Sequence, residues 1–217
     1  MKKYTLLAAF LVLALLSPAA AASVKIGLMA PLTGDFASEG EDMARLVGLL
    51  VEETNKAGGI NGAAVELFVE DDGSTPRSAA NAANRLAARG VPVVIGTYGS
   101  AVTEASQEIY AEAGIVQIAT GSTSIRLTGK GFTRFFRTCP RDDEQGRVAA
   151  ETIARLGYKK IAILHDNSVY AKGLAEESRD RILQDKVAEI LFYDALRPND
   201  RDYSAILTRL KGINPEA

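Results

Sequence analysis

Residues 91–119, VPVVIGTYGSAVTEASQEIYAEAGIVQIA, contain a complete strand–helix–strand unit. A valine- and isoleucine-rich run ends in Gly-Thr-Tyr-Gly-Ser, a helical segment follows, and a second short apolar run closes the unit. β-Branched residues favour strands, and a helical crossover brings two consecutive strands parallel in one sheet. The stretch therefore predicts a βαβ unit whose first strand ends in a turn of small and polar residues.

The same alternation extends upstream of this unit. Residues 24–30 and 64–70 are β-rich runs, and a helical segment follows each of them. Thr75 and Pro76 predict the start of the second helix, because threonine can cap free N–H groups and proline is favoured at the first helical position. The first helix, residues 41–57, has apolar residues at helical spacing. They are Met43, Leu46, Val47, Leu50 and Val51.

Downstream, the alternation pauses around residues 133–141 and then begins again. Strands predicted at 159–164 and 187–193 alternate with helices. Alternation at this spacing is typical of parallel sheets covered by helices on both faces. The sequence therefore predicts an α/β fold with two lobes and a crossover near residues 138–142.

The predicted first lobe covers residues 23–138 and the second covers residues 139–217. The pattern requires a further strand after Lys211, and none follows in the sequence. We therefore expect the second lobe to be incomplete, and the chain to be a fragment or a truncated product.

The N-terminal residues 1–22 have the pattern of a secretory signal peptide. Two lysines precede an apolar run over residues 6–16, and several alanines follow it. Cleavage is predicted after Ala22. No later segment approaches the roughly 20 apolar residues that a membrane-spanning helix needs. The sequence therefore predicts an exported protein.

Composition excludes several functional classes. The chain has 25 Lys and Arg residues against 27 Asp and Glu residues; without the two lysines of the signal peptide its net charge is −4. A chain with this slightly negative net charge lacks the excess of basic residues that is typical of nucleic-acid-binding proteins. Cys139, predicted to be a small buried residue, and His165 are too few soft ligands for a metal site. No nucleotide-binding motif is present, so no cofactor is expected.

Candidate binding residues lie in the loops that follow the strands, because open parallel sheets bind ligands at the carboxyl ends of their strands. Ser100 and the N–H groups after it could bind a carboxylate, or Ser100 could simply cap its own helix. Gly121 to Ser124 offers hydroxyls, N–H groups and the Gly121 carbonyl, or an ordinary polar turn. Two such loops on neighbouring strand ends strengthen the binding interpretation.

Other polar residues favour structural roles. Asp71 and Asp72 resemble a metal or phospho-acceptor pocket, but the third acid and the lysine that would complete it are missing, so we predict helix capping and loop hydrogen bonds. His165 precedes Asp166, yet a serine hydrolase would need a G-x-S-x-G elbow, which is absent. Tyr170 is either a core aromatic or a lid over a ligand.

Five stretches of the chain resemble the periplasmic Leu/Ile/Val-binding proteins, the solute receptors of branched-chain amino-acid ABC transporters. The resemblance runs from Val24 to Lys211 and implies a two-lobed periplasmic-binding-protein fold with Rossmann-like parallel sheets. It implies a non-enzymatic periplasmic protein that binds a small amino acid or related carboxylate and delivers it to a membrane permease. The stretches are VKIGLMAPLTGDFASEG, NKAGGINGAAVELFVEDDGSTP, VVIGTYGSAVTEASQEIYAEAGI, GSTSIRLTGKGFTRFFRT and KIAILHDNSVYAKGLAE.

The resemblance also implies which residues contact the ligand. Ser100 and the Thr123 N–H would hold the ligand carboxylate. The Gly121 carbonyl and the Thr123 hydroxyl would meet its ammonium group. Tyr170 would close over the ligand from the second lobe, and Gly99 is a candidate lining residue.

Two further positions are candidates for the pocket wall. Ser122 is one, and Glu39 is the other. Glu39 stands where the family usually has an aromatic residue, so either the ligand is more polar or Glu39 points to solvent. The family's cysteine pair, at the positions of Ser74 and Gly99, is absent. Family members also continue beyond residue 217, where they complete the first lobe and supply a second-lobe acid for the ammonium group.

Three alternatives remain open at this point. The chain could be an exported sensory ectodomain of the same fold. It could be a non-functional truncated relative. A secreted enzyme that uses His165 and Asp166 is the third, and nothing else in the sequence favours it.

Overall fold

The computed structural model describes residues 22–198 and 200–217. The predicted signal peptide, apart from Ala22, lies outside the described residues. Two parallel sheets with helices packed against them account for the described chain. They confirm the α/β class that the alternating sequence pattern predicts.

The larger sheet has five parallel strands in the order β2-β1-β3-β4-β5. Because every strand runs the same way, their carboxyl ends all meet at one edge of the sheet. The last of these strands is a short piece within the pause around residues 133–141, and it ends shortly before Cys139. The strands are β1 (Val24–Ala30), β2 (Val65–Asp71), β3 (Val93–Ile95), β4 (Val116–Ala119) and β5 (Phe135–Arg137).

Four helices accompany this sheet. They are α1 (Ala37–Lys56), α2 (Pro76–Ala88), α3 (Ser100–Glu112) and the short α4 (Arg126–Gly129). The predicted start of α2 is confirmed, because the Thr75 side chain accepts a hydrogen bond from the Ser78 N–H at 3.3 Å.

The core of the first lobe lies between the sheet and the paired helices α2 and α3. Alanines on α2 bring that helix close to the sheet, and larger side chains fill the remaining space. Full burial of one such side chain contributes about 1.5–3 kcal/mol. The largest fully buried members are Tyr110, Met29, Leu86, Val94 and Val91.

Helix α1 buries less of its apolar face than its spacing predicts. Leu46 and Leu50 are 58% and 51% exposed, whereas Met43, Val47 and Val51 are half-buried. The reason is one-sided packing, since α1 contacts only β1 and β2 extensively within the described chain. The outward leucines therefore form an uncovered apolar strip.

The smaller sheet pairs β6 (Lys160–His165) with β7 (Glu189–Ala195) in parallel. Helices α5 (Asp142–Leu156), α6 (Val169–Gln184) and α7 (Ser204–Ile213) complete this half. Its core is small and centres on Ala150, Ile161 and Ile182.

The last residues of the chain lie against the free edge of β6. The Glu216 N–H donates to the Lys160 carbonyl at 2.7 Å, and the Ala162 N–H donates to the Ala217 carbonyl at 2.8 Å. The Glu216 carboxylate also accepts from the Lys159 N–H at 2.5 Å. The sequence pattern requires a strand after Lys211; in the described residues only the backbone of Glu216 and Ala217 pairs with β6, without forming a strand.

Cys139 differs from its prediction. It is half-buried rather than buried, and its thiol donates to the Ser122 carbonyl at 3.4 Å. It lies just after β5, where the chain leaves the first sheet for α5.

Helices α5 and α6 pack so closely at Gly146 that an alanine would not fit. A Cβ atom there would lie 2.8 Å from the Glu177 carbonyl carbon of α6. We expect Gly146→Ala to lower the free energy of unfolding by about 1–3 kcal/mol, the usual cost of overpacking. Chemical denaturation of the purified chain measures this.

Gly48→Ala is the matched control, because Gly48 is also helical but has nothing within 4 Å of the position of its added Cβ. That variant should gain up to about 1 kcal/mol from helix propensity. Equal effects of the two substitutions would contradict the close packing of α5 on α6.

Candidate functional site

A cleft of about 490 Å³ lies between the carboxyl edge of the larger sheet and the start of α6. Segments that follow six strands contribute to it, as expected for parallel α/β sheets. From the first sheet come Pro31, Asp35, Phe36, Asp72, Ser74, Tyr98, Gly99, Ser100, Ala101, Val102, Gly121 and Thr123; from the second half come Asp166, Ser168, Val169, Tyr170, Ala171 and Pro198.

Ser100 is the first residue of α3 and does not cap that helix. Gly99 occupies the cap position in an extended conformation, and no side chain accepts a capping hydrogen bond there. The buried Ser100 hydroxyl instead accepts the Ser124 N–H at 3.3 Å. Ser100 therefore ties the loop after β3 to the loop after β4, and the simple N-cap interpretation does not hold.

Thr123 lines the cleft, and its hydroxyl oxygen is buried without a hydrogen-bond partner among the described residues. The residue as a whole is 8% exposed. Its carbonyl accepts the Asp142 N–H at 3.0 Å. A nearly buried hydroxyl without a partner carries a desolvation cost, which a ligand with a matching group would relieve.

Ser122 supports the loop from behind and does not line the cleft. Its hydroxyl is fully buried and bonds Thr103 Oγ1 at 2.6 Å and the Tyr98 carbonyl at 3.1 Å. Because adjacent residues of the loop face opposite ways, Ser122 points into the protein while Gly121 and Thr123 face the cleft. Its predicted place in the pocket wall is not what the structure shows.

Gly121 is required by the ring of Tyr98. A Cβ atom at position 121 would lie 2.7 Å from Tyr98 Cδ2. The Tyr98 ring in turn packs against Phe36, with centroids 5.4 Å apart. Phe36 and Tyr98 thus form an aromatic wall on the first-lobe side, and Tyr170, 42% exposed, faces the cleft from α6.

The sequence did not identify this aromatic wall; it offered Glu39 as a possible pocket residue, with a solvent-facing side chain as the alternative. Glu39 does not line the cleft; its carboxylate accepts a hydrogen bond from the Ser38 hydroxyl at 2.7 Å, in the first turn of α1. The aromatic from the first loop is Phe36, three residues earlier. The only available signal was its position in the loop after β1, which by itself does not fix the direction of a side chain.

Asp71 and Asp72 shape the loops beside the cleft. The Asp71 carboxylate accepts hydrogen bonds from Leu32 N–H and from the Thr33 hydroxyl, at 2.9 and 2.6 Å. Asp72 Oδ1 accepts the Ser74 N–H at 2.9 Å. The predicted loop hydrogen bonds are present, whereas helix capping falls to Thr75.

Asp72 is the most perturbed carboxyl of the cleft region. It is fully buried, and its Oδ2 has no partner among the described residues. Burial raises its pKa to about 6, with a smaller contribution in the same direction from the Asp71 charge. The charged form of Asp72 therefore costs folding free energy at neutral pH.

His165 and Asp166 do not form a catalytic pair. His165 Nδ1 accepts the Asn167 N–H at 3.0 Å, and its ring lies 5.4 Å from that of Tyr193. Asp166 Oδ1 accepts the Ser168 N–H at 2.9 Å. Both side chains thus stabilise the turn into α6, in agreement with the structural role predicted for His165.

The described residues support neither a metal site nor a membrane-spanning helix. No group of three or more His, Cys, Asp and Glu side chains there is arranged to hold a metal ion. None of the described helices combines the length and hydropathy that a membrane span requires.

Comparison with known proteins gives the family. Residues 23–217 match the periplasmic binding protein family. The chain belongs to that family. Among curated members, it is 37% identical over 207 residues to Leu/Ile/Val-binding protein homolog 1 of Brucella suis. It is 38% identical over 214 residues to an amino acid binding protein of Pseudomonas aeruginosa.

These matches cover 90% and 93% of this chain but only 56% and 57% of the two relatives. The chain thus spans about half the length of the curated periplasmic binding proteins that it matches. The resemblance predicted from the sequence is confirmed at the level of the family.

Solved structures of periplasmic binding proteins confirm the fold. LivJ of Streptococcus pneumoniae, determined with isoleucine, is 31% identical with a TM-score of 0.79, and covers 88% of this chain and 54% of its own. The leucine-binding protein LivK of Thermotoga maritima is 27% identical with a TM-score of 0.76 and the same coverage. The two-lobed fold with an incomplete second lobe accounts for both the likeness and the partial coverage.

The raised pKa of Asp72 predicts how stability varies with pH. Its folded pKa of about 6 exceeds the unfolded value of 3.8, so the folded chain binds this proton more tightly. The contribution to stability is full below pH 3.8 and is lost as pH rises through 6. We expect a loss on the order of 2–3 kcal/mol, since each unit of difference between the folded and unfolded pKa corresponds to about 1.4 kcal/mol.

Denaturation of wild type and Asp72→Asn between pH 4 and pH 7 checks this. The variant should lack the component of the pH dependence that Asp72 causes. Asp35→Asn, which removes an exposed carboxyl of the same cleft, is the control and should retain it. Identical pH dependence in wild type and Asp72→Asn would contradict the prediction.

Proposed function

We propose that this chain is the ligand-binding part of a periplasmic solute-binding protein that delivers a small amino acid to an ABC transporter permease. The ligand would be a branched-chain or similar amino acid, bound in the cleft between the two sheets. The observation that carries the proposal is the convergence of Ser100, Gly121 and Thr123 on one side of the cleft, opposite Tyr170.

The ligand carboxylate would bind at the start of α3. The Ser100 hydroxyl lies there, and the first turn of the helix contains no acidic residue. Free N–H groups and the helix dipole favour an anion at this end of a helix. The N–H of Thr123, on the loop tied to Ser100 through Ser124, would complete the contacts.

The ligand ammonium group would bind on the other side of the same loop. The Gly121 carbonyl and the Thr123 hydroxyl can both accept hydrogen bonds, and both residues line the cleft. An ammonium group there would satisfy the unpartnered Thr123 Oγ1. Pairing each charged end is necessary, because burying an unpaired charge costs several kcal/mol.

The ligand side chain would lie against the aromatic wall of Phe36 and Tyr98. Tyr170 would cover it from α6, with its exposed face ready to be buried. Because Glu39 does not line the cleft, no carboxylate from α1 faces this apolar wall. The wall therefore suits a leucine, isoleucine or valine side chain, like the ligands named for the relatives.

The remaining parts of the proposal follow from family membership. Members are solute-binding proteins, and we propose the same non-enzymatic role for this chain in the periplasm, after export by residues 1–22. The two sides of the cleft would belong to a first lobe of residues 23–138 and a second lobe of residues 139–217. Closure of such lobes around a ligand is a common hinge motion.

Substitution of Ser100 tests the proposed carboxylate site. Ser100→Ala removes one hydrogen bond to a charged group, and should weaken binding of leucine, isoleucine or valine by on the order of 1–3 kcal/mol. Thr123→Ala should have an effect of similar size on the ammonium side. Isothermal titration calorimetry of the purified chain measures both.

Ser38→Ala is the matched control, because the Ser38 hydroxyl is exposed and lies outside the cleft lining. It should bind as wild type does. Affinity unchanged in Ser100→Ala and Thr123→Ala would refute the site. A wild-type chain that binds none of the three amino acids would refute the proposed function.

A further inference from the structure

A small cavity lies between the second half of α3, strand β4 and the segment that leads into β5. Its volume is about 10 Å³, and it shares no lining residue with the cleft between the two sheets. Apolar side chains such as Ile115 and Phe135 form much of its lining. The side chains with amide or guanidinium groups in that lining are Gln107, Gln117 and Arg134.

Each of the two glutamines leaves one amide oxygen without a partner. Gln107 on α3 and Gln117 on β4 are both 2% exposed. The Oε1 atom of each is buried and has no hydrogen-bond partner within residues 22–198 and 200–217. A buried acceptor without a partner carries a desolvation cost, which a donor placed in the cavity would relieve.

The hydrogen bonds of the amide nitrogens fix how each glutamine amide is turned. Gln107 Nε2 donates to the Leu127 carbonyl at 2.9 Å, and a carbonyl can only accept. Gln117 Nε2 donates to the Ser106 hydroxyl at 2.8 Å. That hydroxyl uses its single proton on the Thr103 carbonyl, at 2.9 Å, so it can only accept from Gln117. The two unpartnered atoms are therefore carbonyl oxygens, and each requires a donor.

We propose that the cavity is the binding site of one water molecule, which donates one hydrogen bond to Gln107 Oε1 and one to Gln117 Oε1. A cavity needs roughly 10–15 Å³ and two to four polar partners to hold a water. The two amide oxygens match the two protons of a single water molecule. The bound water joins helix α3 to strand β4, and the inference does not depend on the proposed function.

The lining disfavours charged occupants of the same size. An anion would face two carbonyl oxygens that can only accept hydrogen bonds. A cation would lie beside the guanidinium of Arg134, whose Nη1 donates to the Gly114 carbonyl at 2.8 Å, and like charges repel. The Tyr110 hydroxyl is already engaged, because it donates to Met29 Sδ at 3.4 Å. The lining therefore selects a small neutral molecule with two donors.

The water lies at one end of a series of buried hydrogen bonds that leads toward the cleft. Gln117 donates to Ser106, and Ser106 donates to the Thr103 carbonyl. The Thr103 hydroxyl lies 2.6 Å from Ser122 Oγ, and Ser122 donates to the Tyr98 carbonyl at 3.1 Å. Hydration of the cavity thus supports the residues that hold the loop after β4 from behind.

A crystal structure of the wild-type chain tests the site directly. We expect one ordered water whose oxygen lies roughly 2.5–3.0 Å from both Oε1 atoms. A cavity without solvent density, or direct contact between protein groups in its place, would overturn the proposal. An anomalous peak in crystals soaked in rubidium chloride would also overturn it, because that peak would identify a bound cation.

Substitution of one glutamine tests whether the water needs both oxygens. Gln117→Met removes one acceptor and keeps the length of the side chain. We expect this variant to lose the water although Gln107 remains, because a buried water needs at least two polar partners. Gln184→Met, at the exposed end of α6, is the matched control and should retain the water. A fully occupied water in Gln117→Met would contradict the shared site.

Chemical denaturation of a double-mutant cycle gives a second test, in solution. Gln107→Met and Gln117→Met each disrupt the same water. The fold-loss in the folding equilibrium constant of the double variant should therefore be at least about threefold smaller than the product of the two single losses.

Gln107→Met combined with Gln184→Met is the control cycle, and its loss should equal the product of the single losses. A loss equal to the product for Gln107→Met with Gln117→Met would show that the two side chains act independently, and would overturn the proposal. If one of these variants does not fold, the wild-type crystal structure still decides.

Discussion

The guanidinium of Arg137 holds the loop on which the cleft is built. One of its nitrogens donates to the carbonyls of Ser122 and Ser124, on either side of Thr123. Arg137 thus binds the carbonyls on both sides of Thr123 from the protein interior, and Thr123 itself lines the cleft. The Ser100 hydroxyl binds the same loop from α3. Preorganised groups of this kind avoid the entropy cost of ordering a loop when a ligand arrives.

The sequence pattern predicted the order of the main strands and helices because apolar periodicity is a local property. It also indicated Ser100, Gly121 and Thr123, which line one cleft, because residues at the carboxyl ends of parallel strands lie at the same edge of a sheet. Tyr170 lines the same cleft, but the pattern left it open between a core aromatic and a lid over a ligand. The contact between Phe36 and Tyr98 was not predictable in this way. The two residues lie on different loops, and their contact depends on how the strands β1 and β3 are placed. The direction of the Ser122 side chain was not predictable either, because it depends on the conformation of the turn after β4. The sequence offered Ser122 as a candidate for the pocket wall, but its hydroxyl points into the protein.

The cleft is bordered by two buried carboxylates that each leave one oxygen without a hydrogen bond. Asp72 lies beside the loop after β2, and Asp142 lies behind the loop after β4. Such groups lower the stability of a folded chain, since desolvation disfavours their charged forms. Their position beside the ligand-facing groups, away from the hydrophobic core, fits a general pattern. Perturbed ionisable groups are common at functional sites.

The pairing of Glu216 and Ala217 with β6 has a practical consequence for labelling the protein. Because Glu216 and Ala217 are hydrogen-bonded to β6, a label attached to either residue would disturb the edge of the smaller sheet. A fluorophore or spin label is better attached on the outer face of α7, where Leu207 is 60% exposed. There it would report on the second half of the molecule without touching the strand.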